Sequence, residues 1–258
     1  MNRSGPFQLI AHRGNAREYP ENTLPAFASA LGLGVCLLEL DVHLSADAVP
    51  VVIHDHELMR TTGHAGTVFD LRWDELARLS ACEPQRFGER FRGTRIPQLT
   101  DVLALLQGRS EVTVFVEIKR ASLARFGHEQ VVARVLDALR PAHAQCVVIS
   151  FDLAAVRRAR ELGGMRIGWV LPQYDAHSRL ECEALQPEFL FCDHEQLPPS
   201  GVLWHGPWQW AIYEVESLPL ALSLSARGAL YIETMAVNEM SEALHAPDDR
   251  ARTPRRGA

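Results

Sequence analysis

A chain of 258 residues that is 47% hydrophobic and 22% charged can bury a full core, which excludes an intrinsically disordered protein. Its formal charge of -6 conceals a more acidic body, because residues 247–258 carry four Arg against two Asp; with no basic stripe, nucleic acid is not an expected partner. The five cysteines form no C-x-x-C pair, and Cys36, Cys146 and Cys192 lie in or beside apolar runs, so buried reduced thiols are expected rather than disulfides or a zinc site. The first six residues hold no apolar leader core and no run reaches the length of a membrane span, so the expectation is a soluble, cytoplasmic protein.

Short apolar runs then alternate with helical patterns, the rhythm of βαβ units around a parallel sheet. A strand is predicted over 7–11 and a helix over 22–33, with Leu24, Phe27 and Leu31 on one face. Strand 35–44 follows, then an extended piece over 49–53 after the turn at Asp47-Ala48. From 56 to 97 the rhythm breaks into an Arg- and Gly-rich excursion with one helical patch at 74–79; connections this long in compact domains are usually functional. Helices are predicted over 99–106 and 129–139 around a strand at 112–119. A strand at 146–151 and a helix at 152–162 capped by Asp152 come next. The remaining pairs are strand 165–171 with helix 177–185, strand 189–193, strand 210–215 with helix 218–227, and strand 229–234 with helix 238–245. After 189–193, Pro198, Pro199, Gly201 and Pro207 leave room for little more than a turn. Eight such units predict a TIM (β/α)8 barrel forming a single domain over 1–246, with an aperiodic, disordered tail over 247–258.

In a parallel barrel the chemistry sits at the carboxyl ends of the strands, and polar residues accumulate there in this chain. His12 and Arg13 end the first strand, Glu39 and Asp41 the second, His54 the extended piece, and Glu117 and Lys119 the third strand. Residues two apart on a strand share a face, so Glu39, Asp41 and Glu117 can converge. Three adjacent carboxylates repel one another unless a cation compensates them, and an all-oxygen set favours one divalent ion, Mg²⁺ or Ca²⁺. The competing explanation is an ion-pair network with Arg13 or Lys119 and no metal. His12 and His54 beside that trio suit a general acid and general base, without a distinction between them. Arg13 next to Gly14 suits bidentate contact with a phosphate.

These residues resemble the glycerophosphodiester phosphodiesterase family. The resemblance is carried by Ala11-His12-Arg13-Gly14, Pro20-Glu21-Asn22-Thr23, Glu39-Leu40-Asp41-Val42, Val49-Pro50-Val51-Val52-Ile53-His54-Asp55 and Arg60-Thr61-Thr62-Gly63. Ile96-Pro97-Gln98-Leu99 and Val116-Glu117-Ile118-Lys119 follow in the same order, and the match is dense to about Lys119 and thinner beyond. It implies a TIM barrel with a small subdomain, about 56–97, inserted between the second and third strands. It also implies metal-dependent hydrolysis of a small-molecule glycerophosphodiester to glycerol 3-phosphate and an alcohol. Glu39, Asp41 and Glu117 then look like metal ligands, His12 and His54 like the acid/base pair, and Arg13 and Lys119 like phosphate contacts, with Asn22 ordering the first loop.

The chain departs from the family pattern at three places. Asp47-Ala48 stands where Asp-Gly is common. Ile212-Tyr213-Glu214-Val215-Glu216 replaces a Trp-Thr-Val-Asn pattern, and Glu233-Thr234 a Thr-Asp or Thr-Asn. The last two lie on the rim expected to meet the alcohol or glycerol, where Asp193 and Glu233 are further candidate contacts. The insert arginines, Arg60 to Arg95, are expected mostly in ion pairs on a solvated face rather than in a lid. His43 alternates with Asp41 and could face the site, with a supporting hydrogen bond expected over a direct role, and His56 and His64 are expected at the surface. Trp204, Trp208, Trp210 and Tyr213 either pack together or box a choline ammonium, packing being the commoner fate. Two other functions fit the same rim: a lysophospholipase D or phospholipase C-like enzyme with a lipid substrate, and a non-catalytic barrel that binds a phosphodiester. Nothing in the sequence specifies the headgroup or the oligomeric state.

Overall fold

A computed structural model describes residues 5–245; the tail expected over 247–258 lies outside the described residues. In chain order the elements begin with β1 (Gln8–Ala11), α1 (Leu24–Gly32), β2 (Leu37–Leu44) and β3 (Pro50–Val52), followed by the short helices α2 (Met59–Thr62), α3 (Trp73–Leu76) and α4 (Pro84–Phe87). Next are α5 (Leu99–Ala104), β4 (Thr113–Ile118), α6 (Arg120–Phe126), α7 (His128–Leu139), β5 (Cys146–Ser150) and α8 (Leu153–Gly163). The chain continues through β6 (Arg166–Val170), α9 (Ala176–Leu185), β7 (Phe189–Asp193), β8 (Gln209–Tyr213), α10 (Leu218–Ala226), β9 (Ala229–Thr234) and α11 (Val237–His245).

The strands run in the order β1-β9-β8-β7-β6-β5-β4-β2, and the pairing of Ala11 with Leu38 joins β1 to β2 and closes the ring. All eight are parallel, so this is the TIM barrel expected; β3 hangs antiparallel on the outer end of β2. Alternation along each strand sorts the side chains. Leu38, Leu40, Val42 and Leu44 of β2 face the helices with the outer core, whereas Leu37 joins Ile10, Phe115, Ile149, Phe191 and Tyr231 inside the barrel. Gly168 serves that interior: a Cβ there would lie 2.9 Å from Ile149 and 3.1 Å from Phe189, so its absence admits the aromatic rings.

The excursion after β3 has its own small core of Val51, Ile53, Leu58, Val68, Leu76, Ala81 and Ile96. It holds three single-turn helices where the sequence indicated one, because helices of four residues are too short to show a periodic stripe. Two further differences have local causes. Helix α1 starts at Leu24 rather than 22, since Asn22 adopts φ 57 and its side chain is used elsewhere. Helix α6 was not expected; about two turns between Lys119 and Gly127 are too short to show a period. The proline-rich stretch after β7 holds a single 3-10 turn at His194–Gln196, as its composition indicated. Asp152 caps α8, its carboxylate accepting from the Ala155 N–H at 2.9 Å.

Candidate active site

Strand register brings the rim residues together. Asp41 of β2 sits beside Glu117 of β4, and Glu39 beside Phe115. The Ile53 N–H donates to the Asp41 carbonyl at 3.0 Å, which sets the start of the segment carrying His54, and the Arg13 N–H donates to the Glu39 carbonyl at 3.1 Å. Gly14 has a different task in the same loop. Its φ is +83°, and a Cβ would stand 2.7 Å from the Ala26 backbone, so the loop after β1 can rest directly on α1.

Glu39, Asp41 and Glu117 each offer a carboxylate oxygen, with all three within 4.8 Å of one another. Lys119 bridges two of them, its Nζ 3.1 Å from Asp41 and 3.0 Å from Glu117, and Arg13 Nε lies 3.2 Å from Asp41. Asn22 holds Asp41 from the other side, donating to its carboxylate at 2.8 Å and accepting its N–H at 3.2 Å. The ion-pair network foreseen as an alternative therefore exists, but it leaves Glu39 out. Among the described residues, the one cationic side chain within ion-pair distance of Glu39 is His12, at 3.8 Å; the Arg13 guanidinium acts on it from farther away, and the Arg13 backbone N–H donates to its carboxylate at 3.1 Å. Burial, then Asp41, Glu233 and Glu117, raise the Glu39 pKa well above the ordinary carboxylate value. At Asp41 burial works in the same direction, but Lys119 and Arg13 outweigh it and hold that carboxyl low. The donor set fits a hard divalent ion: it is all oxygen, and Arg13 and Lys119 make ion pairs with Asp41 and Glu117 but none with the buried Glu39.

Each histidine has a carboxylate on Nδ1. His54 Nδ1 is 2.6 Å from Asp55, whose other oxygen accepts from Arg60 Nε at 2.5 Å. Arg60 also reaches Glu21 at 2.6 and 2.9 Å, and Glu21 accepts from Arg13 at 3.1 Å, so one chain of ion pairs links both halves of the rim. His12 Nδ1 lies 3.4 Å from Glu214, and its Nε2 lies 3.4 Å from Glu233. Burial opposes charge on His12, yet Glu233 and then Glu214 raise its pKa above the usual value. At His54 burial is reinforced by Arg13 and Lys119, and the pKa falls. Glu233 itself is pushed up to about 7, first by burial and then by Glu117 and Glu214.

All seven sequence-predicted positions are thus assembled at one end of the barrel. His12, Arg13, Glu39, His54, Glu117 and Lys119 line a cleft of about 650 Å³, and Asp41 is 1% exposed directly beneath them. The far wall is formed by Phe151, Phe191, Asp193, Tyr213, Glu214 and Glu233. Glu214 carried no weight in the sequence; its position at a strand end was the available signal. No residue of 56–97 lines this cleft, and Arg72, Arg78, Arg86 and Arg92 make ion pairs with nearby acids, as the solvated-face expectation has it. His56 is half-buried rather than superficial, stacked on Phe69 at 5.5 Å. Trp208 and Trp210 are buried and both donate their indole N–H to the Trp204 carbonyl, with Tyr174 stacked on Trp204 at 4.0 Å. The tryptophans pack together, and only Tyr213 of the suggested box faces the cleft.

Comparison with known proteins accords with this geometry. A family model described as the glycerophosphoryl diester phosphodiesterase family matches residues 12–190. The chain is 43% identical over 122 residues to a glycerophosphodiester phosphodiesterase of Caldanaerobacter subterraneus, a region covering 47% of this chain and 49% of that protein. It is 38% identical over 130 residues to a glycerophosphodiester phosphodiesterase of Bacillus altitudinis, covering 50% and 52%. The aligned region spans about half the length of these curated relatives. A phosphodiesterase of Oleispira antarctica, solved in complex with the product sn-glycerol-3-phosphate, shares the fold with a TM-score of 0.81 at 23% identity, covering 93% of this chain and 97% of that one. A glycerophosphodiester phosphodiesterase of Agrobacterium tumefaciens gives 0.75 at 24%, covering 91% and 99%. With the seven predicted site residues and most of its length inside the matched region, the chain belongs to the glycerophosphoryl diester phosphodiesterase family.

Proposed function

We propose that this chain hydrolyses small glycerophosphodiesters to glycerol 3-phosphate and an alcohol, with one divalent ion, Mg²⁺ or Ca²⁺, at Glu39, Asp41 and Glu117. The observation that carries the reading is the convergence of two histidines, two cations and three carboxylates on one cleft, all within the region matched by the family. The curated relatives' name supplies the substrate class. A bound ion would neutralise charge on the phosphoryl oxygens.

The chain's own residues account for the rest. Glu21 and Asp41 hold the Arg13 guanidinium in one orientation, so its remaining N–H groups are pre-set for phosphate oxygens. Lys119 leans on Asp41 and Glu117 and contributes a second positive charge at the same place. Of His12 and His54, one takes the proton of the attacking oxygen and the other returns a proton to the departing alkoxide. Attack by the glycerol 2-hydroxyl, giving a cyclic phosphate that water opens, and direct attack by water both use this pair. The barrel and its excursion act as one unit on this reading, since Arg60 of the excursion supports Asp55 behind His54.

The test is a coupled glycerol 3-phosphate assay over a headgroup panel, with lysophosphatidylcholine alongside and with or without EDTA. Turnover of glycerophosphocholine or glycerophosphoethanolamine is expected, abolished by exhaustive EDTA dialysis and restored by a divalent metal. Full activity after dialysis removes the ion from the scheme. Preference for lysophosphatidylcholine moves the substrate to a lipid, and binding without turnover removes the enzyme.

A further inference from the structure

We infer that Glu214, just beyond the end of β8, is a positioning residue for His12: its carboxylate accepts the Nδ1–H of the ring and aims Nε2 at the reacting phosphoryl group. The inference rests on the proposed acid/base role of His12. His12 Nδ1 and Glu214 Oε1 are both buried, neither has a hydrogen bond of ordinary geometry, and they face each other at 3.4 Å. Two buried polar atoms left apart would each cost their full desolvation, so each is the other's natural partner. Hydrogen bonds around catalytic groups are often long in the free enzyme and shorten once substrate is bound.

The opposite edge of the ring has the complementary environment. Nε2 points toward Glu233 at 3.4 Å and Glu39 at 3.8 Å, into the cleft where the carboxylate trio lies. His54 is built the same way, with Asp55 on Nδ1 at 2.6 Å and no hydrogen bond from Nε2 among the described residues. What Asp55 does for His54, Glu214 does for His12. The chain just after Glu214 is held at two points: the Val215 N–H donates to the Glu233 carbonyl at 3.0 Å, and the Glu216 side chain pairs with Arg17 of the first loop at 2.7 Å. Glu214 also falls in the stretch where the sequence departs from the pattern that the resemblance led one to expect, outside the region matched by the family.

The experiment uses the full chain with metal present, first confirming by thermal melting that each variant is folded. Glu214→Ala and Glu214→Gln are expected to lower kcat roughly 10- to 100-fold with KM changed by less than about threefold, and Glu214→Asp to recover part of the loss. In a His12→Asn background Glu214→Ala should have no further effect, because a residue acting through His12 has nothing left to act on. Independently of activity, protein labelled with ¹⁵N-histidine should show a slowly exchanging Nδ1–H resonance of His12 that Glu214→Ala removes. An equal fall in both backgrounds, a change in KM alone, or a His12 Nδ1–H signal untouched by Glu214→Ala would overturn the assignment. If the wild type turns over no glycerophosphodiester, the functional reading fails, and the resonance still decides whether Glu214 holds His12.

Discussion

At the scale of single residues, the two histidines occupy opposite electrostatic settings although both are largely withdrawn from water. Glu233 and Glu214 hold charge on His12 against burial, whereas Arg13 and Lys119 add to burial at His54. Removing either ring should lower turnover by about 10²-fold or more. Steady-state kinetics of His12→Ala and His54→Ala check this, and near-normal kcat in either variant would sink the proposed pair. Residue identity at strand ends was legible in the sequence, because position at the carboxyl end of a strand is a local property. Partner choice was not. That Lys119 reaches both Asp41 and Glu117, or that Glu39 is left without a strong cation, depends on register between strands separated by an excursion of some forty residues.

At the scale of elements, His43 shows how a polar side chain can serve the site from behind it. The ring is 1% exposed at the end of β2, with its Nε2–H donating to the His54 carbonyl at 3.1 Å and its Nδ1 accepting from the Ser122 hydroxyl of α6 at 2.8 Å. Ser122 in turn accepts the Leu44 N–H at 3.1 Å, so β2, α6 and the segment carrying His54 are fastened at one point. The neutral ring uses both nitrogens, and burial pushes its pKa down to about 4 from the ordinary 6.5. The unfolded chain therefore takes up the proton first on acidification. Stability from His43 is full above pH 6.5 and is lost as pH falls through about 4, by an amount on the order of 3 kcal/mol. Urea unfolding of wild type and His43→Asn across that window measures it; identical pH dependence in the two proteins would rule it out. Alternation with Asp41 put His43 on the same face of the strand, where a supporting hydrogen bond was the expected role, but α6, which supplies Ser122, was too short to be seen in advance.

At the scale of the whole molecule, a cation at Glu39, Asp41 and Glu117 should stabilise the barrel, since those ligands come from β2 and β4 and exist together only in the folded state. At a free metal concentration of about a hundred times Kd the gain is about 2.7 kcal/mol, which for a chain of this size is a rise in Tm of roughly 5–10 °C. Differential scanning calorimetry with EDTA and with added Mg²⁺ or Ca²⁺ reads it. An Asp41→Asn variant should lose most of the shift, and an unchanged wild-type Tm would count against the ion. By itself, the sequence determined the alternation of strands and helices, the barrel class, and the cluster of chemistry at strand ends, because periodicity and strand polarity are written within a dozen residues of each position. Only the tertiary structure decided the closure of β1 on β2 and β9. That closure carries Glu214 and Glu233 from the far end of the chain to the two edges of the His12 ring, a contact fixed by the ring of strands rather than by any local pattern.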